Sequence, residues 1–135
     1  MGPKLFVVVT VVLLAVACQQ QGLASAADVA SRYRDLALKN DVAGILRLVP
    51  KNFAAQAEAE EKVRAFERVR TGNIRTVYHP NDVTPNIVTA EFIDDASSFR
   101  DTVQIQRFGS TGWFLMIGHS TDPGPAFPTA QASFR

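Results

Sequence analysis

A single cysteine, Cys18, stands in this chain of 135 residues, so no disulfide forms within one molecule and no thiolate cluster holds zinc. Histidine is nearly as scarce. His79 and His119 are the only two, far apart in sequence, and no acidic loop has calcium-ligand spacing, so the sequence offers no metal site and implies no cofactor. No charge of one sign dominates: 14 Lys and Arg stand against 13 Asp and Glu. Without a basic stripe, a nucleic-acid partner is not expected. No glycine-rich loop leads into a helix, which excludes a phosphate cradle of that kind. No apolar run reaches the about 20 residues that a membrane-spanning helix needs. The longest apolar run, residues 5–17, would be roughly 20 Å long as a helix.

That run is the first thing present. Lys4 and the amino terminus give a short positive start, residues 5–17 an apolar core, and Ala15-Val16-Ala17 small residues just before Cys18. This is the layout of a secretory signal peptide over residues 1–17. Ala15-Val16-Ala17-Cys18 resembles the lipobox of bacterial lipoproteins, although leucine, usual three places before that cysteine, stands four places before it at Leu14. The resemblance implies cleavage before Cys18 and a diacylglyceryl thioether on its sulfur. Palmitate and similar chains would then hold the protein to a lipid bilayer in the cell envelope, facing the periplasm or the exterior. Each buried acyl methylene contributes about 0.8 kcal/mol, so two or more chains give a stable anchor. A second small-x-small site, Ala24-Ser25-Ala26, leaves the alternative of a secreted, soluble chain without Cys18. An uncleaved anchor is the third alternative.

Beyond Cys18 about 117 residues remain, enough for one domain. With Lys4 removed, 13 basic and 13 acidic side chains balance. Residues 18–26 read as a linker, 27–119 as the domain, and 120–135, with three prolines and only Phe127 and Phe134 as large apolar groups, as a disordered tail.

Within the domain the hydrophobic period changes once. Val29, Tyr33, Leu36 and Ala37 fall at helical spacing over 27–40. Asp41 can cap a second helix carrying Val42, Ile45, Leu46 and Val49, which Pro50 stops. A third helix, over about 52–70, presents Val63, Phe66 and Val69 on one side. Glu58 with Lys62, and Glu60 with Arg64, are spaced as i,i+4 ion pairs on it. From residue 74 the pattern is that of strands: 74–79, 87–93, 99–106 and 113–119. Pro80-Asn81-Asp82, Asp94 to Ser98 and a Gly109–Gly112 hairpin turn punctuate them. The last strand is apolar on both faces, which predicts that it is central or covered. Helices followed by antiparallel strands predict an α+β fold, N-terminal helices packed on a curved antiparallel sheet of about four strands.

The helix sequence "VASRYRDLALKNDVAGILRLV" and the hairpin "VQIQRFGSTGWFLMIG" resemble the small nuclear-transport-factor-two-like domains of bacterial lipoproteins, a cystatin-like α+β cone. The resemblance spans residues 27–118. It implies a shape whose open end often forms a ligand pocket, not an activity, because enzymes, binders and scaffolds share this cone.

No catalytic constellation is legible. His79 and His119 lie at strand ends, and a role for either, or for Tyr78, requires an inward carboxylate in hydrogen-bond reach. Asp94-Asp95 reads as a solvated turn, and Ser97, Ser98 and Ser110 have no local base. Tyr33, Phe53, Tyr78, Phe92 and Trp113 are the candidate lining of a pocket at the cone's mouth, with Arg75 or Arg107 as a charged contact; the plainer alternative makes these aromatics ordinary core. The sequence thus reads as a non-catalytic, membrane-anchored binding module for an envelope protein partner or a small apolar ligand. A structural or regulatory subunit of an envelope or secretion assembly is the alternative, and a small hydrolase or isomerase a third.

Overall fold

The computed structural model describes residues 20–69 and 73–122. Cys18, the signal peptide and the tail from residue 123, with Phe127 and Phe134, lie outside them.

Helix α1 (Ala26–Leu38) starts where Ser25 accepts the N–H of Asp28 on its Oγ at 3.1 Å, satisfying a donor the first turn leaves free. Val29, Ala30, Tyr33 and Ala37 form its buried stripe. It ends in a Schellman motif. Asn40 takes a left-handed conformation (φ 59°), its N–H reaches the carbonyl of Ala37, and the N–H of Asp41 reaches that of Leu36. Asparagine substitutes for glycine there because its short polar side chain tolerates that region.

Asp41 then caps α2 (Val42–Leu46), its Oδ1 accepting from the Gly44 N–H at 2.9 Å. The apolar pattern predicts helix to Val49, but regular helix stops at Leu46. Three-residue turns follow, with Leu48 bonded to Ile45 and Val49 to Leu46. This tighter winding still turns Leu48 and Val49 into the core before Pro50.

The third helix is shorter than the pattern predicts. α3 covers Gln56–Phe66, because Phe53–Ala54 (β1) is drawn into a small antiparallel ladder with His119–Ser120 (β6). The i,i+4 ion pairs expected on α3 give way to other partners. Lys62 turns to Asp101, Glu58 to the N–H of Gly118, and Glu60 accepts from Gln56.

The main sheet holds β2 (Arg75–Pro80), β3 (Ile87–Asp94), β4 (Phe99–Phe108) and β5 (Gly112–Met116), antiparallel throughout and in that spatial order. The fold is therefore α+β, helices packed against an antiparallel sheet of four strands. Ala90, Phe92, Val103, Ile105 and Leu115 face the buried stripes of the helices. Four aromatic rings fill the space between: Tyr33 and Phe92 at 5.3 Å, Tyr33 and Phe66 at 5.6 Å, and Phe66 and Phe99 at 4.8 Å.

β5 is the last strand of the sheet, so its double-sided apolarity comes from cover. Residues 20–25, which read as linker, supply part of it. Leu23 exchanges two backbone hydrogen bonds with Trp113, and the Gly22 N–H reaches the carbonyl of Thr111 at 2.7 Å. The N–H of Leu115 reaches the carbonyl of Leu48 at 2.8 Å. The folded domain thus begins earlier than residue 27. It also ends later than 119, since Thr121 and Asp122 both bond to Asn52.

Candidate functional site

The five aromatics proposed as a pocket lining do not meet around one cavity. Tyr33 and Phe92 are fully buried in the ring cluster that fills the space between helices and sheet. Phe53 stands half-buried in β1, Tyr78 is exposed on β2, and Trp113 packs beside Leu23. Arg75 lies 3.7 Å from Asp95 at the surface, and Arg107 donates to the carbonyl of Gly109.

The histidines are both exposed. His79 Nε2 is 3.8 Å from Glu91 Oε1, a surface contact that Arg100 shares, beyond the reach a proton transfer needs. Of the Asp94-Asp95 pair only Asp95 is solvated. Asp94 is buried and builds the turn from inside, accepting from the N–H of Ala96 at 3.2 Å and from Ser97 Oγ at 2.7 Å. Ser97 therefore has a carboxylate neighbour, but its hydroxyl is committed to closing the β3–β4 connection.

Two arrangements emerge that sequence reasoning missed. The first is a polar clasp between helices and sheet. Tyr33 donates its hydroxyl to Asp101 Oδ2 at 2.7 Å, and Lys62 donates to Asp101 Oδ1 at 3.0 Å and to the carbonyl of Thr102 at 3.1 Å. Burial, then the charge of Asp101, the hydrogen bond to it and the charge of Glu58 push the Tyr33 phenol far above its ordinary range. Both oxygens of Asp101 hold donors, so the cluster joins α1, α3 and β4. A small hollow of about 250 Å³ adjoins it, bounded by Glu58, Glu61, Lys62, Ala65 and Asp101. The sequence carried a signal for this clasp: Asp101 has the same parity as Phe99, Val103 and Ile105, the inward residues of β4, and an inward aspartate demands a partner.

The second is an apolar groove of about 780 Å³ between α2, the 47–51 turn, β1 and the start of α3. Leu46, Val49, Pro50 and Phe53 give its apolar lining, and Arg47, Lys51 and His119, all exposed, give it positive and titratable groups. No carboxylate lines it. Its volume falls in the range of small-ligand sites. Gln20 forms part of the wall and is locked there. Its amide nitrogen donates to the carbonyl of Val49 at 2.8 Å, and its amide oxygen accepts from the N–H of Lys51 at 2.8 Å. The groove escaped sequence reading because its walls come from four short segments that share no period.

Among the described residues, no group of His, Cys, Asp and Glu is placed to hold a metal ion, and no helix is long and apolar enough to cross a membrane. Fold and groove together define a small α+β domain with a markedly apolar depression beside residue 20. No protein-family model matches the chain, and no curated protein or solved structure matches it significantly.

Proposed function

We propose that this protein is an envelope lipoprotein, held to a bilayer through acylated Cys18, whose nuclear-transport-factor-two-like domain acts as a non-catalytic binding module. The supporting observation is how residues 20–25 are used. Gln20 locks onto the 49–51 turn, Leu23 covers the edge of β5, and Ser25 caps α1. Cleavage after Ala26 would remove all three, whereas cleavage before Cys18 keeps them. That favours the processing that retains the cysteine.

The groove supports the binding half of the reading, since it is apolar, open and of ligand size. The clasp supports the non-catalytic half, because Tyr33 has no exposure and Asp101 already accepts from two donors. The ring cluster that fills the interior favours the second reading, a structural or regulatory subunit of an envelope assembly. Metabolic labelling with palmitate and fractionation of cells carrying the wild type or Cys18→Ser tests the anchor. Label and membrane association that depend on Cys18 support it; a wild type that is soluble and unlabelled refutes it. Pull-down from solubilised membranes separates the two readings, since a subunit co-purifies stoichiometrically with its assembly and a small-ligand binder does not.

A further inference from the structure

We infer that the groove beside Gln20 is the face this domain lays on an anionic bilayer, with Arg47 and Lys51 against lipid phosphates and Leu46, Val49, Pro50 and Phe53 toward the glycerol and upper acyl carbons. The inference rests on the acylation of Cys18 proposed above.

The first argument is tether length. Cys18 is two residues from Gln20, so their Cα atoms are at most about 7 Å apart. Gln20 is fixed to the groove wall by hydrogen bonds on both sides of Pro50. An acylated Cys18 therefore brings this wall, together with the rim of the hollow against α1 that Gln21 borders, to the headgroups. Salt screens charges over about 8 Å at physiological strength, so only groups near this wall feel the lipid charge strongly.

The second argument is charge. Where the chain as a whole is balanced, the groove lining carries Arg47, Lys51 and His119 and no Asp or Glu. The hollow against α1 carries Asp28 and Asp35 beside Arg32, Lys39 and Arg47, so two of its three positive charges are offset, whereas neither Arg47 nor Lys51 is offset in the groove lining. Each basic residue at an anionic surface strengthens association about fivefold. Two such residues do not hold a free protein on a membrane, but on a tethered one they select which face turns down. The apolar lining strengthens the same choice, because contact removes it from water.

The test uses the mature protein as purified from its native cells, reconstituted into vesicles of phosphatidylcholine alone or with phosphatidylglycerol added, and followed by amide hydrogen exchange across residues 46–57. Exchange is expected to be slower on the phosphatidylglycerol vesicles, and this extra protection to disappear at high salt. The Arg47→Gln, Lys51→Gln double variant should lower it by about 30-fold; both side chains are exposed, and the salt measurement on the wild type does not depend on how that variant folds. Equal exchange on the two vesicle types overturns the inference while leaving the anchor intact. Equal, strong protection on both and in detergent also overturns it, and assigns the groove to the protein's own acyl chain or to residues 123–135. A protein that floats with neither vesicle overturns the anchor and this inference together, and is recognised by the missing lipid mass on the Cys18 peptide.

Discussion

Lys62 and Asp101 meet across the helix–sheet interface, Nζ 3.0 Å from Oδ1, with their side chains only 15% and 12% exposed. The two are not equally confined. Asp101 is held on the inward side of β4, a central strand of the sheet, whereas a lysine stem can extend its amine to water. Lys62→Met leaves a largely buried carboxylate with the Tyr33 hydroxyl as its remaining partner, and about 2–4 kcal/mol of stability should be lost. Asp101→Asn keeps an acceptor for Tyr33 and frees Lys62 to reach solvent, for a loss of about 1–2 kcal/mol. Urea unfolding of both variants should give that order; the reverse order would mean that Lys62 is the trapped partner.

The phenol of Tyr33 gives the fold an alkaline limit. Its folded-state pKa is raised by burial first and by Asp101 second, while the unfolded chain ionises near about 10. Below that pH both states keep the proton and the contribution is fully present. Above it the unfolded state loses its proton and the folded state does not, so stability falls as pH rises. Unfolding free energy measured from pH 8 to 11 should therefore decline, and decline less steeply in Tyr33→Phe. The tyrosinate absorbance of Tyr33, taken as the difference between wild type and Tyr33→Phe, should appear only together with loss of near-UV circular dichroism.

The contrast between Tyr33 and Asp101 marks how far the sequence could be read. Tyr33 announced itself as buried by the 3.6-residue spacing it shares with Val29 and Ala37, and the cap at Asp41 and the hairpin at Gly109 and Gly112 were legible because each follows from one residue's local chemistry. The α+β order and the four strands followed from the change of period at residue 74. What stayed hidden depends on distant residues meeting. Lys62 had a plausible local partner in Glu58, and only the packing of α3 on β4 redirects it. Phe53 looked helical until Ser120, more than sixty residues on, offered it a strand to pair with. Gln20 looked like linker because nothing in its own neighbourhood reveals the turn at Val49–Lys51 that it spans.

Gly118 is where the small β1–β6 ladder joins the main sheet. Its φ is +77°, and a side chain there would overlap the backbone carbonyl of Ala54, while its N–H is taken by Glu58. Gly109 also has positive φ, at +51°, but faces open space. Gly109→Ala should cost about 1 kcal/mol, the backbone term alone. Gly118→Ala adds a clash with main chain that cannot swing aside, and should cost more than about 2 kcal/mol. Comparing the two midpoints in denaturant isolates the close approach from the left-handed conformation, and equal costs would mean that the Ala54 backbone yields.

The N-terminal segment is the part of the fold whose loss carries the most functional meaning. A chain beginning at Ala27 lacks the Ser25 cap, worth about 1 kcal/mol. It also lacks the Leu23–Trp113 and Gly22–Thr111 backbone bonds, each worth about 1 kcal/mol, and the two contacts of Gln20. For a domain near 100 residues each lost kcal/mol lowers the Tm by about 4–8 °C, so this chain should melt at least about 10 °C below one beginning at Cys18. Gly22→Ala in the longer chain tests the same contact without deletion: a Cβ at Gly22 would sit 2.6 Å from the backbone oxygen of Trp113, forcing the segment off β5 and exposing the strand's edge. Its Tm should fall part of the way toward that of the trimmed chain. If the trimmed chain instead melts with the longer one, residues 20–25 contribute nothing to the domain, and cleavage after Ala26, with release of the protein from any lipid anchor, becomes the better account of its maturation.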